Sequence, residues 1–111
     1  NTLGIAICGS GLGMSMTLNR ISGVRAALCH NIEVVKLARN HNDANVLVLG
    51  GRFINLDEAI NIVDIFSKEI FEGGRHKNRI NKLITHKGSD LMSELFFYFT
   101  RKNNKLNTKK D

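Results

Sequence analysis

"GIAICGSGLGMS", residues 4–15, sets a short apolar run against a turn with three glycines and leaves a cysteine at the junction. A brief, continuous apolar run is the form of a parallel strand covered on both faces. Two more such runs follow, "VRAALC" (24–29) and "NVLVLG" (45–50). Segments of helical spacing separate them. Met14, Leu18 and Ile21 lie four and then three residues apart, and Val34 and Val35 lie four and three residues before Ala38. A longer helix is expected after Asn55, with Ile60, Val63, Phe66 and Ile70 on its buried face and Gly73-Gly74 at its end. A short helix over 76–84 follows. Strands alternating with helices predict an α/β fold, an open parallel sheet built with right-handed crossovers.

The bulk properties bound the function. A chain of 111 residues makes one domain with a modest core. No apolar run reaches the roughly twenty residues that cross a bilayer. The chain opens on Asn1 without a basic segment ahead of a long apolar run, so the reading expects a cytoplasmic protein with no membrane partner. Cys8 and Cys29 are expected as free thiols. The net charge is +6, but residues 1–84 hold ten Lys/Arg against seven Asp/Glu, and "TRKNNKLNTKKD" (100–111) holds five against one. That charge distribution describes a solvated basic tail, and no aromatic residue interleaves with it, so nucleic acid is not expected as a partner. Residues 1–84 are read as the domain and 85–111 as an atypical extension. Within the extension, "LFFYF" (95–99) is either a docked helix or an exposed liability.

Chemistry concentrates at the first turn. In an open parallel sheet the ligand crevice lies beyond the carboxyl ends of the strands, where Cys8 stands. Gly9, Ser10, Gly11, Leu12 and Gly13 let backbone N–H groups approach a ligand closely, and a helix starting near Met14 aims its N-terminus there. An anion nest beside a thiol suits a thiolate general base or nucleophile. A purely structural glycine turn with a buried cysteine fits the same residues. Dinucleotide binding does not: the third glycine falls one place early for G-x-G-x-x-G, and Cys29-His30 occupies the place of the ribose-binding acid. Further along, His41 and Asn42 end the second helix, Arg52 follows the third strand, and Arg75 and Arg79 lie one helical turn apart. Each has an ordinary reading as a cap or a surface cation, and two arginines can also clasp a phosphate.

Taken together, "GIAICGSGLGMSMTLNRISGVRAALCH", "LARNHNDANVLVLGGR" and "FEGGRHKNRI" resemble the type B ribose-5-phosphate isomerases, a family that includes the allose- and galactose-6-phosphate isomerases. The resemblance runs over nearly all of residues 3–84. It implies a Rossmann-like sheet, a homodimer, and an aldose–ketose isomerase of the pentose phosphate pathway. Such an enzyme interconverts ribose 5-phosphate and ribulose 5-phosphate through an enediolate, with no metal or organic cofactor. Cys8 matches the base that moves the proton between C1 and C2, and residues 9–13 match the enediolate cradle. His41 matches the ring-opening acid, and Asn42 holds sugar hydroxyls. Arg52, Arg75 and Arg79 match substrate- and phosphate-binding positions. The family's leading strand with its Asp-His pair has no counterpart here, so "GIAIC" is expected to keep a free edge. The alternative reading is an inactive sugar-phosphate-binding or dimerising remnant.

Overall fold

The computed structural model describes residues 2–85. Three parallel strands, β1 (Gly4–Cys8), β2 (Ala26–Leu28) and β3 (Val46–Gly50), form a sheet in the order β1-β3-β2. Helices α1 (Leu12–Leu18) and α2 (Ile32–Asn40) connect them in turn. Beyond β3 come α3 (Leu56–Lys68) and α4 (Arg75–Thr85). The chain divides into two compact units, residues 1–77 and 78–111, and α4 runs across the boundary. The expected α/β class with a parallel Rossmann-like sheet is what is observed. "LFFYF" lies outside the described residues.

The central strand carries the core. β3 pairs with β1 from Gly4↔Val46 to Cys8↔Gly50, and with β2 from Ala26↔Val46 to Leu28↔Val48. Leu47, Val48 and Leu49 are buried, which fits a strand covered on both faces. Leu47 and Leu49 join Cys29, Val35, Ala38, Ala44, Ile62 and Phe66 in one apolar cluster, so α2 and α3 cover the same face. Residues two apart share a face, which places Ile5 and Ile7 beside Leu47 and Leu49. They are nevertheless 51% and 59% exposed. The apolar run suits burial on both faces, but α2 and α3 cover Leu47 and Leu49 and leave Ile5 and Ile7 exposed beside the free edge expected of "GIAIC".

Capping explains where two helices begin. The Asn31 side chain accepts from Val34 N–H at 2.8 Å. Asn55 accepts from Glu58 N–H at 2.9 Å, and its amide donates back to the Glu58 carboxylate at 2.7 Å. Those side chains satisfy N–H groups that a helix start leaves without partners. Asn55 thus caps α3 as the sequence predicts, but the buried face follows the prediction only at Val63 and Phe66. Ile62 and Phe66 are buried while Ile60 and Ile70 are exposed. Ala59 and Val63 complete the covered stripe. The helix also stops at Lys68 rather than at Gly73, leaving residues 69–74 as a non-helical connection.

Cys29 follows β2 as a fully buried free thiol. Burial pushes its pKa up from 9.0 to about 11, because the apolar cluster disfavours the thiolate. Below about pH 9 the thiol keeps its proton folded or unfolded and adds no pH dependence. As pH rises from 9 toward 11, the unfolded chain releases the proton and the folded chain does not, so this group drains stability over that window. Urea unfolding at pH 8 and pH 10 should show a larger loss for the native sequence than for Cys29→Ala. Equal losses would remove Cys29 as the source.

Candidate functional site

Cys8 is the last residue of β1, directly opposite Gly50. The chain then turns through Gly9-Ser10-Gly11, and α1 starts at Leu12, two residues earlier than expected. Leu12 and Gly13 are therefore first-turn helix residues, not loop residues. Gly11 N–H donates to the Cys8 sulfur at 3.2 Å, and Leu12 N–H donates to Ser10 Oγ at 3.2 Å. A backbone donor thus faces the thiol, the pairing that an anion nest requires.

Glycines make the turn possible. Gly11 adopts φ 80°, a left-handed conformation that costs a residue with a side chain about 1–3 kcal/mol. A Cβ there would also overlap Leu28 Cδ1. Gly50 works from the other side. A Cβ on it would stand 2.5 Å from the Ser10 carbonyl oxygen. The loop after β1 can close over the end of β3 only because position 50 is bare. Two hydrogen bonds lock the closure, Gly51 N–H to Cys8 C=O at 2.8 Å and Arg52 N–H to Gly9 C=O at 2.9 Å. The Arg52 side chain lies against Gly9, where a Cβ would meet Nε at 3.1 Å. Cys8, the glycine loop and Arg52 are therefore one assembly.

Beside it opens a pocket of about 390 Å³ lined by Ser10, Leu12, Leu28, His30, Gly50 and Phe53. It lies at the carboxyl ends of all three strands, as the topology rule requires. His30 and Phe53 were not read as site residues from sequence. Their signal was position: each closely follows the end of a parallel strand.

His41 and Asn42 are elsewhere. His41 caps the C-terminus of α2, which begins after β2 and runs back along the sheet to the start of β3. The five residues of β3 separate that end from Cys8, roughly 13 Å at about 3.3 Å per residue. Arg39 and Arg25 both bond Asp43, at 3.1 and 3.3 Å, and fix the turn between α2 and β3. Asp43 sits there with φ 46°. Asn42 is exposed. Around His41 stand two residues the sequence reading did not single out. Its ring stacks on His76 with centroids 4.2 Å apart, and Glu72 Oε2 lies 3.8 Å from His41 Nε2 and 3.7 Å from His76 Nε2. Arg75 precedes His76, and Arg79 is one turn further along α4, both exposed. The predicted residues thus fall into separate groups, Cys8 with its loop and Arg52 at one end of the sheet and His41 with Asn42 at the other.

The Cys8 thiol held against a glycine turn thus stands at the carboxyl edge of a parallel α/β sheet, where such folds bind their ligands. The chain belongs to the Ribose/Galactose Isomerase family, which it matches over residues 1–83. A Mycoplasma pneumoniae protein named as a probable ribose-5-phosphate isomerase B is 49% identical over 86 residues, 78% of this chain and 57% of the relative. The crystal structure of ribose 5-phosphate isomerase B from Thermotoga maritima superposes with a TM-score of 0.72 at 52% identity, over 74% of this chain and 57% of that one. The Mycoplasma genitalium enzyme, solved with bound ribulose-5-phosphate, gives 0.72 and 52% over 74% of this chain and 54% of its own. The chain therefore spans little more than half the length of the relatives it matches.

Gly50→Ala should destabilise the domain by about 1–3 kcal/mol, the usual cost of overpacking, because a backbone carbonyl blocks the added methyl. Chemical denaturation measures it. An unchanged midpoint would show that the turn can yield, and would remove position 50 as the constraint on the loop.

Proposed function

We propose that this chain belongs to a sugar-phosphate aldose–ketose isomerase that interconverts ribose 5-phosphate and ribulose 5-phosphate. The observation that carries the reading is the Cys8 sulfur held at the rim of a backbone-donor loop, in a family with a ribulose-5-phosphate-bound member at 52% identity. Proton abstraction next to a carbonyl needs a base on one side of the substrate and oxyanion donors on the other. The Cys8 thiolate takes the proton from C2 of the open-chain aldose and returns it to C1, while the hydroxyl proton passes from O2 to O1. N–H groups of residues 9–13 stabilise the enediolate between these transfers. Arg52 holds sugar oxygens beside Gly9, and Arg75 and Arg79 bind the phosphate. Ring opening falls to His41, with Asn42 on the sugar hydroxyls.

That division of labour calls for two copies. Within one chain, Cys8 and His41 are at opposite ends of β3, further apart than one pentose phosphate spans. A homodimer joined two-fold brings the Cys8 end of each chain to the His41 end of its partner and builds two equal sites. Two free thiols suit a reducing, cytoplasmic setting.

In the whole protein, Cys8→Ala should lower kcat for ribose 5-phosphate by about 10²-fold or more with little change in KM. A near-native kcat excludes Cys8 as the base. Arg75→Ala and Arg79→Ala should raise KM for phosphorylated sugars and leave the response to free ribose unchanged; equal loss on both substrates would assign them to the fold. Mixing inactive Cys8→Ala and His41→Asn chains should restore activity to about a quarter of native, since half the dimers are mixed and each mixed dimer keeps one intact site. No recovery after subunit exchange, verified by mass, would place both residues in one chain's site.

A further inference from the structure

We propose that Asp43 is a positioning residue for the sugar end of the site: its carboxylate fixes the turn that presents His41 and Asn42, and acts on substrate only through them. This role rests on the isomerase reading, which gives Asp43 no part. Among the described residues Asp43 alone, glycines apart, has a positive φ, 46°. Aspartate tolerates the left-handed conformation better than most side chains, but asparagine and glycine tolerate it too. What aspartate adds at position 43 is a charge.

That charge is held from two sides. Arg25 donates from Nε to the Asp43 carbonyl at 2.9 Å and from Nη2 to carboxylate Oδ2 at 3.3 Å. Arg39 donates from Nη1 to the other oxygen, Oδ1, at 3.1 Å and to the Ala44 carbonyl at 2.6 Å. Arg25 is itself anchored, since its N–H donates to Asn45 Oδ1 at 2.8 Å. The two arginine side chains are only 21% and 12% exposed, so the pairing is shielded from water as a surface pair is not. The backbone closes the same turn, with Asp43 N–H donating to Arg39 C=O at 3.2 Å and Ala44 N–H to Ala38 C=O at 2.9 Å. Residue 43 is thereby tied to α2 on one side and to the entry of β2 on the other.

The two residues before it do not depend on this hold equally. The His41 ring has a second support in its stack on His76. Asn42 is exposed and takes its direction from the turn. Loss of the carboxylate therefore falls first on the sugar hydroxyls assigned to Asn42, and spares the phosphate assigned to Arg75 and Arg79. Asparagine in place of Asp43 keeps an oxygen that accepts from a guanidinium and keeps the tolerance of positive φ. Glycine keeps only the backbone conformation.

Steady-state kinetics of the whole protein with ribose 5-phosphate, and inorganic phosphate as competitive inhibitor, test the role in Asp43→Gly and Asp43→Asn. Asp43→Gly should raise KM about tenfold, the usual worth of a lost hydrogen bond, with kcat changed by less than about threefold. The inhibition constant of phosphate should stay at its native value, and Asp43→Asn should restore KM to near native. A merely structural role behaves differently, because a smaller folded fraction lowers kcat at constant KM. That result overturns the proposal, as does an Asp43→Asn enzyme as impaired as Asp43→Gly. A phosphate constant that weakens in step with KM also overturns it, by assigning the turn to the phosphate. A native protein without isomerase activity overturns the isomerase reading and this role together, whereas the other outcomes leave that reading standing.

Discussion

The parallel pairing of β3 with β1 and β2 determines where every other element can lie. A strand hydrogen-bonded on both edges and covered on both faces exposes nothing along its length, so Leu47, Val48 and Leu49 are apolar. Ligands can be met only at its two ends. At the carboxyl end, the Cys8↔Gly50 register puts the thiol and the bare glycine side by side. The loop after β1 crosses in the space that a Cβ would fill, and Arg52 returns to its starting point. At the amino end, the incoming chain leaves α2 through His41 and turns at Asp43.

That second end is held by charge rather than by apolar packing. Asp43 accepts from two guanidinium groups while Arg39 also bonds the carbonyls of Ala44 and Glu69 and lies over the Phe66 ring at 5.7 Å. Isolated surface ion pairs contribute little, about 0–1 kcal/mol, but these groups are partly buried and share partners. Their bonds point in several directions at once, which fixes a position as well as adding energy. The network joins the β2 entry, the turn into β3 and the segment after α3. It thereby ties together the segments that carry His41 and Glu72.

Much of this was legible in the sequence, and the exceptions have physical causes. The run "NVLVLG" reads as a strand because nothing in it after Asn45 suits water, and Asn55 reads as a cap because its amide can satisfy a helix start. The buried face of α3 was misread because its apolar residues fall on two overlapping stripes. One runs through Ile60, Val63, Phe66 and Ile70, the other through Ala59, Ile62, Val63 and Phe66. Periodicity admits both; only packing against β3 and α2 selects the second. The exposure of Ile5 and Ile7 goes with the free edge expected of "GIAIC". A continuous apolar run shows that a strand suits burial, and the reach of neighbouring helices decides whether it is covered. The place of Cys8 at the end of β1 and the turn after it were readable because they are contiguous. Glu72 and His76 were not, because their meeting with His41 depends on a glycine reversal and one backbone hydrogen bond between distant segments.

The two-ended arrangement also constrains how the molecule can be altered. Loop closure at the carboxyl end depends on backbone contacts at Gly11 and Gly50, where no side chain can substitute for absence. The amino end depends on side-chain charges that other polar groups can partly replace, since an asparagine also accepts from a guanidinium and tolerates a positive φ. The thiol end is therefore rigid in composition and the imidazole end more permissive. The permissive end is also where His41 and His76 stack and the Glu72 carboxylate approaches both rings.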